Sequence, residues 1–159
     1  MRLNRRQSLA GLVTMGVWPS ITAACAAADG PVRAEVHIDP GCGCCRVWAE
    51  LLRQSGRFDV RLVEDGDVWA LKDRSGVPVE MRSCHTALID RYVAEGHVPV
   101  ADIVRLLDER PSGVVGLAVP GMPRGSPGME QPDGARDAFV VLAFGRSGEP
   151  NVFASYPSA

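Results

Sequence analysis

Apolar and polar positions alternate over residues 32–39, Val-Arg-Ala-Glu-Val-His-Ile-Asp, which predicts a strand with one buried face. Pro40-Gly41 stops it. From Cys42 to Gln54 the period changes. Val47, Trp48, Leu51 and Leu52 fall on one stripe of a helix, and Ser55-Gly56 ends it. Phe58, Val60 and Leu62 then alternate with Asp59 and Arg61 as a second strand, and Asp67 to Asp73 reads as a short helix with Gly76 beyond its end. Thr86–Asp90 and Tyr92–His97 read as two short strands of a hairpin. Pro99 opens a helix whose stripe is Val100, Ile103, Leu106 and Leu107, with Pro111 past its end. Val114 to Val119 is a further apolar run, and Ala138 to Phe144 is a β-prone run suited to a buried strand. Between them, Pro120 to Gly134 is a long loop of Pro, Gly, Met and Ser, and the last residues carry no clear pattern. Trp48, Trp69 and Phe139 are expected in the core.

This order of elements predicts an α/β domain whose central mixed sheet is flanked by helices. A Cys-x-x-Cys at the first strand-to-helix junction, here Cys42 and Cys45, is the thioredoxin signature, so a thioredoxin-like fold is expected. Val77-Pro78 is then a candidate for the cis-proline that such folds place opposite the cysteines, with Val98-Pro99 as its rival.

The N-terminus belongs to a different category. Arg2, Arg5 and Arg6 precede a stretch, Ser8 to Ala28, with no charged residue, closed by Ala26-Ala27-Ala28. That is the layout of a secretory signal peptide over residues 1–28, leaving a domain of residues 29–159 and a periplasmic location. Asn4-Arg5-Arg6-Gln7-Ser8-Leu9 resembles a twin-arginine export signal, although Ser8 replaces the usual aromatic; an ordinary secretion signal fits equally. An uncleaved anchor or a lipid on Cys25 would be the only membrane attachment, and Pro19 and Thr22-Ala23-Ala24 argue against each in turn. Removing residues 1–28 takes away three arginines and no acid, leaving 14 cations against 19 anions. With that balance and no basic run, nothing favours a nucleic-acid partner, and none is expected.

Cys42-Gly43-Cys44-Cys45 dominates the candidate chemistry. At a helix N-terminus, thiols meet unpaired N–H groups and the positive end of the helix dipole, which favour the thiolate that binds metal or attacks a disulfide. Gly43 lets the sulfurs converge. Cys84-His85 adds a further thiol and an imidazole about 40 residues on, and His97 follows Glu95-Gly96 near the hairpin's end. Met122 and Met129 sit in the Gly/Pro-rich loop rather than on an apolar stripe. Thiolate, thioether and imidazole together select Cu(I) over harder ions. His37, within the first strand, is assigned no role.

Three chemistries remain open on these residues. The first is copper binding on Cys42, Cys44, Cys45, Cys84, His85, His97, Met122 and Met129. The second is thiol–disulfide exchange on protein substrates, with Cys42 as nucleophile and Cys45 resolving. The third is a structural zinc module, for which the Cys-x-Cys-Cys crowding and the methionine loop are a poor match. A purely structural Cys42–Cys45 bridge closes too small a loop to gain much stability, and it leaves Cys44 and Cys84 without a reason.

Four segments together carry a family resemblance: Cys-x-Cys-Cys-x-x-Trp from Cys42, Ser-Cys-His-Thr-Ala from Ser83, Glu-Gly-His-Val-Pro from Glu95, and Gly-Leu-Ala-Val-Pro-Gly-Met-Pro-x-Gly-Ser-Pro-Gly-Met from Gly116 to Met129. They resemble domain-of-unknown-function family 411, which includes the periplasmic CopG-type copper-resistance proteins, and the likeness spans about residues 32–145. Asp90-Arg91-Tyr92 lacks the glycine usual before the tyrosine. The resemblance implies a thioredoxin-like fold, export to the periplasm, and copper, as Cu(I) or Cu(II), as the bound species. It also implies thiol or copper redox activity, the partners being copper ions and other periplasmic copper-handling proteins. Carried over by position, it assigns Cys42, Cys44, Cys45, Cys84, His85, Met122 and Met129 to the site, with His97 beside them.

Overall fold

The computed structural model describes residues 30–64, 67–146 and 148–159. The export segment at residues 1–28 therefore lies outside the described residues. Among those described, no helix is long and apolar enough to cross a membrane.

The fold is mixed α/β, with one seven-stranded sheet and three helices. In chain order the elements are β1 (Val32–Ile38), α1 (Gly43–Gln54), β2 (Phe58–Glu64), α2 (Val68–Arg74), a 3-10 turn (Val79–Met81), β3 (His85–Ile89), β4 (Tyr92–Glu95), α3 (Val100–Glu109), β5 (Gly116–Ala118), β6 (Phe139–Phe144) and β7 (Asn151–Tyr156). The sheet order is β2-β1-β3-β4-β5-β6-β7. β1 runs parallel to β2 and β4 parallel to β5; the other neighbours are antiparallel.

Successive strand residues point to opposite faces, and the two apolar clusters follow that rule. Ala34, Val36 and Ile38 of β1, Ala87 and Ile89 of β3, and Ala94 of β4 pack with Cys45, Trp48, Ala49 and Leu52 of α1 and with Ile103, Leu106 and Leu107 of α3. Val93, Ala118 and Phe144, the alternate positions, pack instead with Val77 and Met81 beneath the 3-10 turn. The first face thus carries α1, the helix that bears the cysteines.

The structure departs from the sequence reading at several places. Val47, expected in the α1 stripe, is 48% exposed. The buried set is Cys45, Trp48, Ala49 and Leu52, spaced three or four apart, so Val47 falls on the flank. Trp69 is 58% exposed rather than in the core. Its short helix already buries Val68, Leu71 and Lys72, and the indole lies under the charges of Lys72 and Arg82, each 5.9 Å from its centroid. Phe139 is half-buried and stacks on Tyr156 at 4.7 Å. No described peptide bond is cis, at Val77-Pro78 or elsewhere; Pro78 instead caps the 3-10 turn. The C-terminal segment forms β7, an edge strand antiparallel to β6, with a bulge at Val141/Leu142 that interrupts its register.

Candidate metal centre

Strand register brings the distant cysteines together. Ile38, the last residue of β1, pairs with His85, the first of β3. Whatever follows β1 therefore meets whatever precedes β3. After β1 comes Cys42, the N-cap of α1; before β3 comes Cys84. Thr86 pairs with Glu95 across the β3–β4 hairpin, and the Gly96 N–H donates to the His85 carbonyl at 3.0 Å, which lands His97 on the same spot.

The Sγ atoms of Cys42, Cys44, Cys45 and Cys84 all lie within 4.8 Å of one another, and the same holds for ligand atoms of Cys84, His85 and His97. Cys84 belongs to both groups. Cys42 and Cys45 are joined by a disulfide, Cys44 Sγ is 3.7 Å from Cys42 Sγ, and Cys44 and Cys84 are free and half-buried. Cys45 is fully buried.

The electrostatics differ from the thiolate-favouring environment the helix terminus led us to expect. Cys42 and Cys45 are bonded to each other. Burial, reinforced by Cys44 nearby, pushes the Cys84 thiol from 9.0 up to about 11, so it holds its proton at neutral pH. Burial also holds His85 well below its ordinary range, helped by His97 and the positive charge of Lys72. Burial lowers His97 too, opposed by the Pro127 carbonyl and Glu130. Both imidazoles are therefore neutral and available as donors at pH 7.

Each ring is held. His97 Nδ1 is 2.7 Å from the Pro127 carbonyl, and its Nε2 is 3.1 Å from Cys84 Sγ. His85 Nδ1 is 3.3 Å from the same sulfur. Its ring packs against Trp48 at 4.4 Å and against His97 at 5.0 Å, and the Trp48 indole N–H donates to the Val98 carbonyl. His85 Nε2 is buried, and the Gly96 backbone near the ring acts to raise its pKa against the effect of burial. Soft sulfur and two neutral nitrogen donors converge at this point, a donor set that fits a soft cation.

The loop after β5 covers the cluster. Gly128 lies against the backbone of Cys44 and Trp48, and the Ser83 hydroxyl donates to the Gly121 carbonyl. Ser126 is buried, with its hydroxyl on the Pro123 carbonyl at 2.7 Å. Met129 is half-buried in this loop, whereas Met122 is 55% exposed. Of the residues singled out in the sequence, the four cysteines, His85 and His97 converge; Met122 faces solvent. His37 stays outside the cluster, on β1 beside Glu35. Missed by the sequence reading were the Pro127 carbonyl that orients His97 and the Ser83 hydroxyl that ties down Gly121. A backbone carbonyl has no residue signature, and an isolated serine has little.

Comparison with known proteins places these features. The family model described as "Protein of unknown function, DUF411" matches residues 81–129, which hold Cys84, His85, His97 and the methionine loop. Two solved structures, titled copper resistance protein CopG, form 1 and form 2, each share 48% identity with this chain at a TM-score of 0.74. The alignments cover 80% of this chain and 98% and 99% of theirs. No curated protein matches. This chain belongs to the DUF411, CopG-type copper-resistance family.

Proposed function

We propose that this protein binds copper in the periplasm and contributes to copper resistance, with Cys42, Cys44, Cys45 and Cys84 as its principal ligands and His97 and His85 in support. The observation that carries the reading is the meeting of four sulfurs within 4.8 Å of one another beside the start of α1. Thiolate sulfur with imidazole suits Cu(I). The names of the two similar structures point the same way. Met129 is a supporting ligand in this reading, and Met122, at the exposed end of the loop, a first point of capture. Export rests on the leader pattern of residues 1–28, and other periplasmic copper-handling proteins are the partners to which the metal would pass.

The Cys42–Cys45 pair gives the site a redox function. Its reduction consumes two electrons and two protons and raises the number of free thiols in the cluster from two to four. The same couple run in reverse supplies electrons to Cu(II). The strand order β2-β1-β3-β4, with β1 and β2 parallel and β3 antiparallel to both its neighbours, supports a thioredoxin-like core extended by β5, β6 and β7.

Thiol counting before and after reduction, followed by anaerobic Cu(I) titration of the reduced protein, tests this. Reduction should add two reactive thiols and open copper uptake, and Cys45→Ser should abolish most of that uptake. Undiminished stoichiometry in the variant would overturn the assignment.

The disulfide also favours a second reading, thiol–disulfide exchange with proteins. Cys42 is the accessible sulfur and Cys45 the buried one, the division of labour expected of an attacking and a resolving thiol. Insulin reduction by metal-free protein separates the two readings, since turnover without copper supports the second alone. A structural zinc module would show itself as stoichiometric zinc in protein purified without added metal.

A further inference from the structure

Behind the sulfur cluster lies a charged pair almost wholly removed from solvent. Lys72, on α2, is 1% exposed, and Glu95, at the end of β4, is fully buried. Lys72 Nζ is 2.6 Å from Glu95 Oε1 and 2.9 Å from Thr86 Oγ1. The Ser83 backbone N–H donates to Glu95 Oε1 at 2.6 Å, and the Thr86 hydroxyl donates to Oε2 at 2.7 Å.

Taking two charges out of water costs several kcal/mol for each ion in effective terms, and apolar replacement of such pairs is often neutral or stabilising. Stability alone is thus a poor reason for this pair. What it holds is more informative. The single carboxylate grips Ser83 and Thr86, the residues on either side of Cys84 and His85. It reaches them from β4, two residues before His97. The carboxylate therefore fixes the segment ahead of β3 that brings the Cys84 sulfur to the cluster. Lys72, from a third element, supplies the countercharge that allows a carboxylate to sit there at all.

We propose that Glu95, charge-compensated by Lys72, is the positioning residue of the copper site: it clamps Ser83 and Thr86 so that Cys84 and His85 are presented to Cys42, Cys44, Cys45 and His97. The proposal rests on the copper reading above for its function, but the clamp itself can be tested without metal. Outer partners that orient metal ligands typically change affinity about 10- to 100-fold when removed.

The test compares two double variants. Lys72→Met with Glu95→Gln removes both charges but keeps a carbonyl for the Ser83 N–H. Lys72→Met with Glu95→Leu removes the acceptor as well. With both folded by circular dichroism and cooperative melting, the leucine variant should bind Cu(I) at least about tenfold more weakly than the glutamine variant, with an altered copper–thiolate absorption band. A purely structural pair would shift the melting temperature of both and leave affinity and band alike, which would overturn the proposal. The metal-free readout is the alkylation rate of Cys84 in a background with Cys25→Ser and Cys44→Ser. The leucine variant should react at least roughly fivefold faster as the segment loosens, and an unchanged rate would overturn the clamp. Failure of the parent protein to take up Cu(I) would remove the copper reading, while the alkylation comparison would still decide on the clamp. If the leucine variant does not fold, Thr86→Val takes its place, since it keeps the charges paired and deletes one grip. Weaker Cu(I) binding and faster Cys84 alkylation in that variant support the clamp, and unchanged values overturn it.

Discussion

Cys84 Sγ lies 3.1 Å from His97 Nε2, while the other nitrogen of that ring, Nδ1, lies 2.7 Å from the Pro127 carbonyl oxygen. A carbonyl can only accept, so Nδ1 carries the proton and Nε2 turns its lone pair toward the sulfur. One ring thereby does two things. It ties the covering loop to the hairpin, and it offers a nitrogen donor whose tautomer is already set.

Replacing that ring by one of similar size without nitrogen separates the two contributions from simple packing. His97→Phe is expected to weaken Cu(I) binding by about tenfold or more and to make the loop of residues 120–130 an early site of limited proteolysis. Competition with a Cu(I) chelator measures the first effect and peptide mapping the second. Wild-type affinity in a variant with a freed loop would remove His97 from the ligand set and leave it as an anchor only.

The protonated state of Cys84 gives the site a pH dependence with a definite sign. Its thiol is pushed from 9.0 up to about 11, chiefly by burial, so the metal must displace a proton to gain that sulfur. Raising the pH removes the competing proton. Apparent Cu(I) affinity should therefore climb by about tenfold per pH unit for each proton displaced, between about pH 6 and 8. Titration calorimetry in buffers of different ionisation enthalpy should show proton release. Affinity independent of pH would mean that Cys84 is not a ligand. The metal-free protein carries the opposite dependence. A thiol whose pKa is raised on folding contributes stability that is fully present below 9.0 and lost as pH rises through about 11, so the melting temperature should decline across that window.

Much of this arrangement could be read from the chain, because it depends on local periodicity. The alternation in residues 32–39 and 58–62 defined β1 and β2, and the change of period at Cys42 placed the cysteines at a helix start. Cys84 and His85 stood out as soft donors beside each other. What local pattern does not encode is which face or partner tertiary packing selects. Val47 and Trp48 are adjacent and equally apolar, yet only Trp48 is covered. Trp69 reads as core, yet it is 58% exposed, with the charges of Arg82 and the buried Lys72 each 5.9 Å from its ring. Lys72, on the short helix α2, has no local signal of burial in the chain; it is buried against a carboxylate 23 residues away. The state of the cysteines is likewise beyond sequence spacing. Cys42 and Cys45 are close enough to bond or to share a metal, and the same four-residue motif serves either.

The covering loop imposes a last, more local constraint. Gly128 has φ +85°, and a Cβ there would meet the Cys44 carbonyl oxygen and the Trp48 nitrogen, each at 3.0 Å, with Trp48 Cβ at 3.2 Å. Two of these neighbours are backbone of the helix that carries the cysteines, so they cannot swing aside. Gly134 is the internal control, with φ +76° and open space around its missing Cβ. Gly134→Ala should cost only the left-handed backbone penalty, about 1–2 kcal/mol. Gly128→Ala should cost that and an overpacking penalty of about 1–3 kcal/mol besides. The added cost falls on the contact between loop and helix, so it should show first as undocking of residues 120–130, read by limited proteolysis. Loss of copper affinity should follow, because undocking withdraws Met129 and the Pro127 anchor of His97. Urea unfolding of the two variants gives the comparison directly. Equal destabilisation would mean that the loop does not depend on its close approach to α1, and that its glycines serve the turn alone.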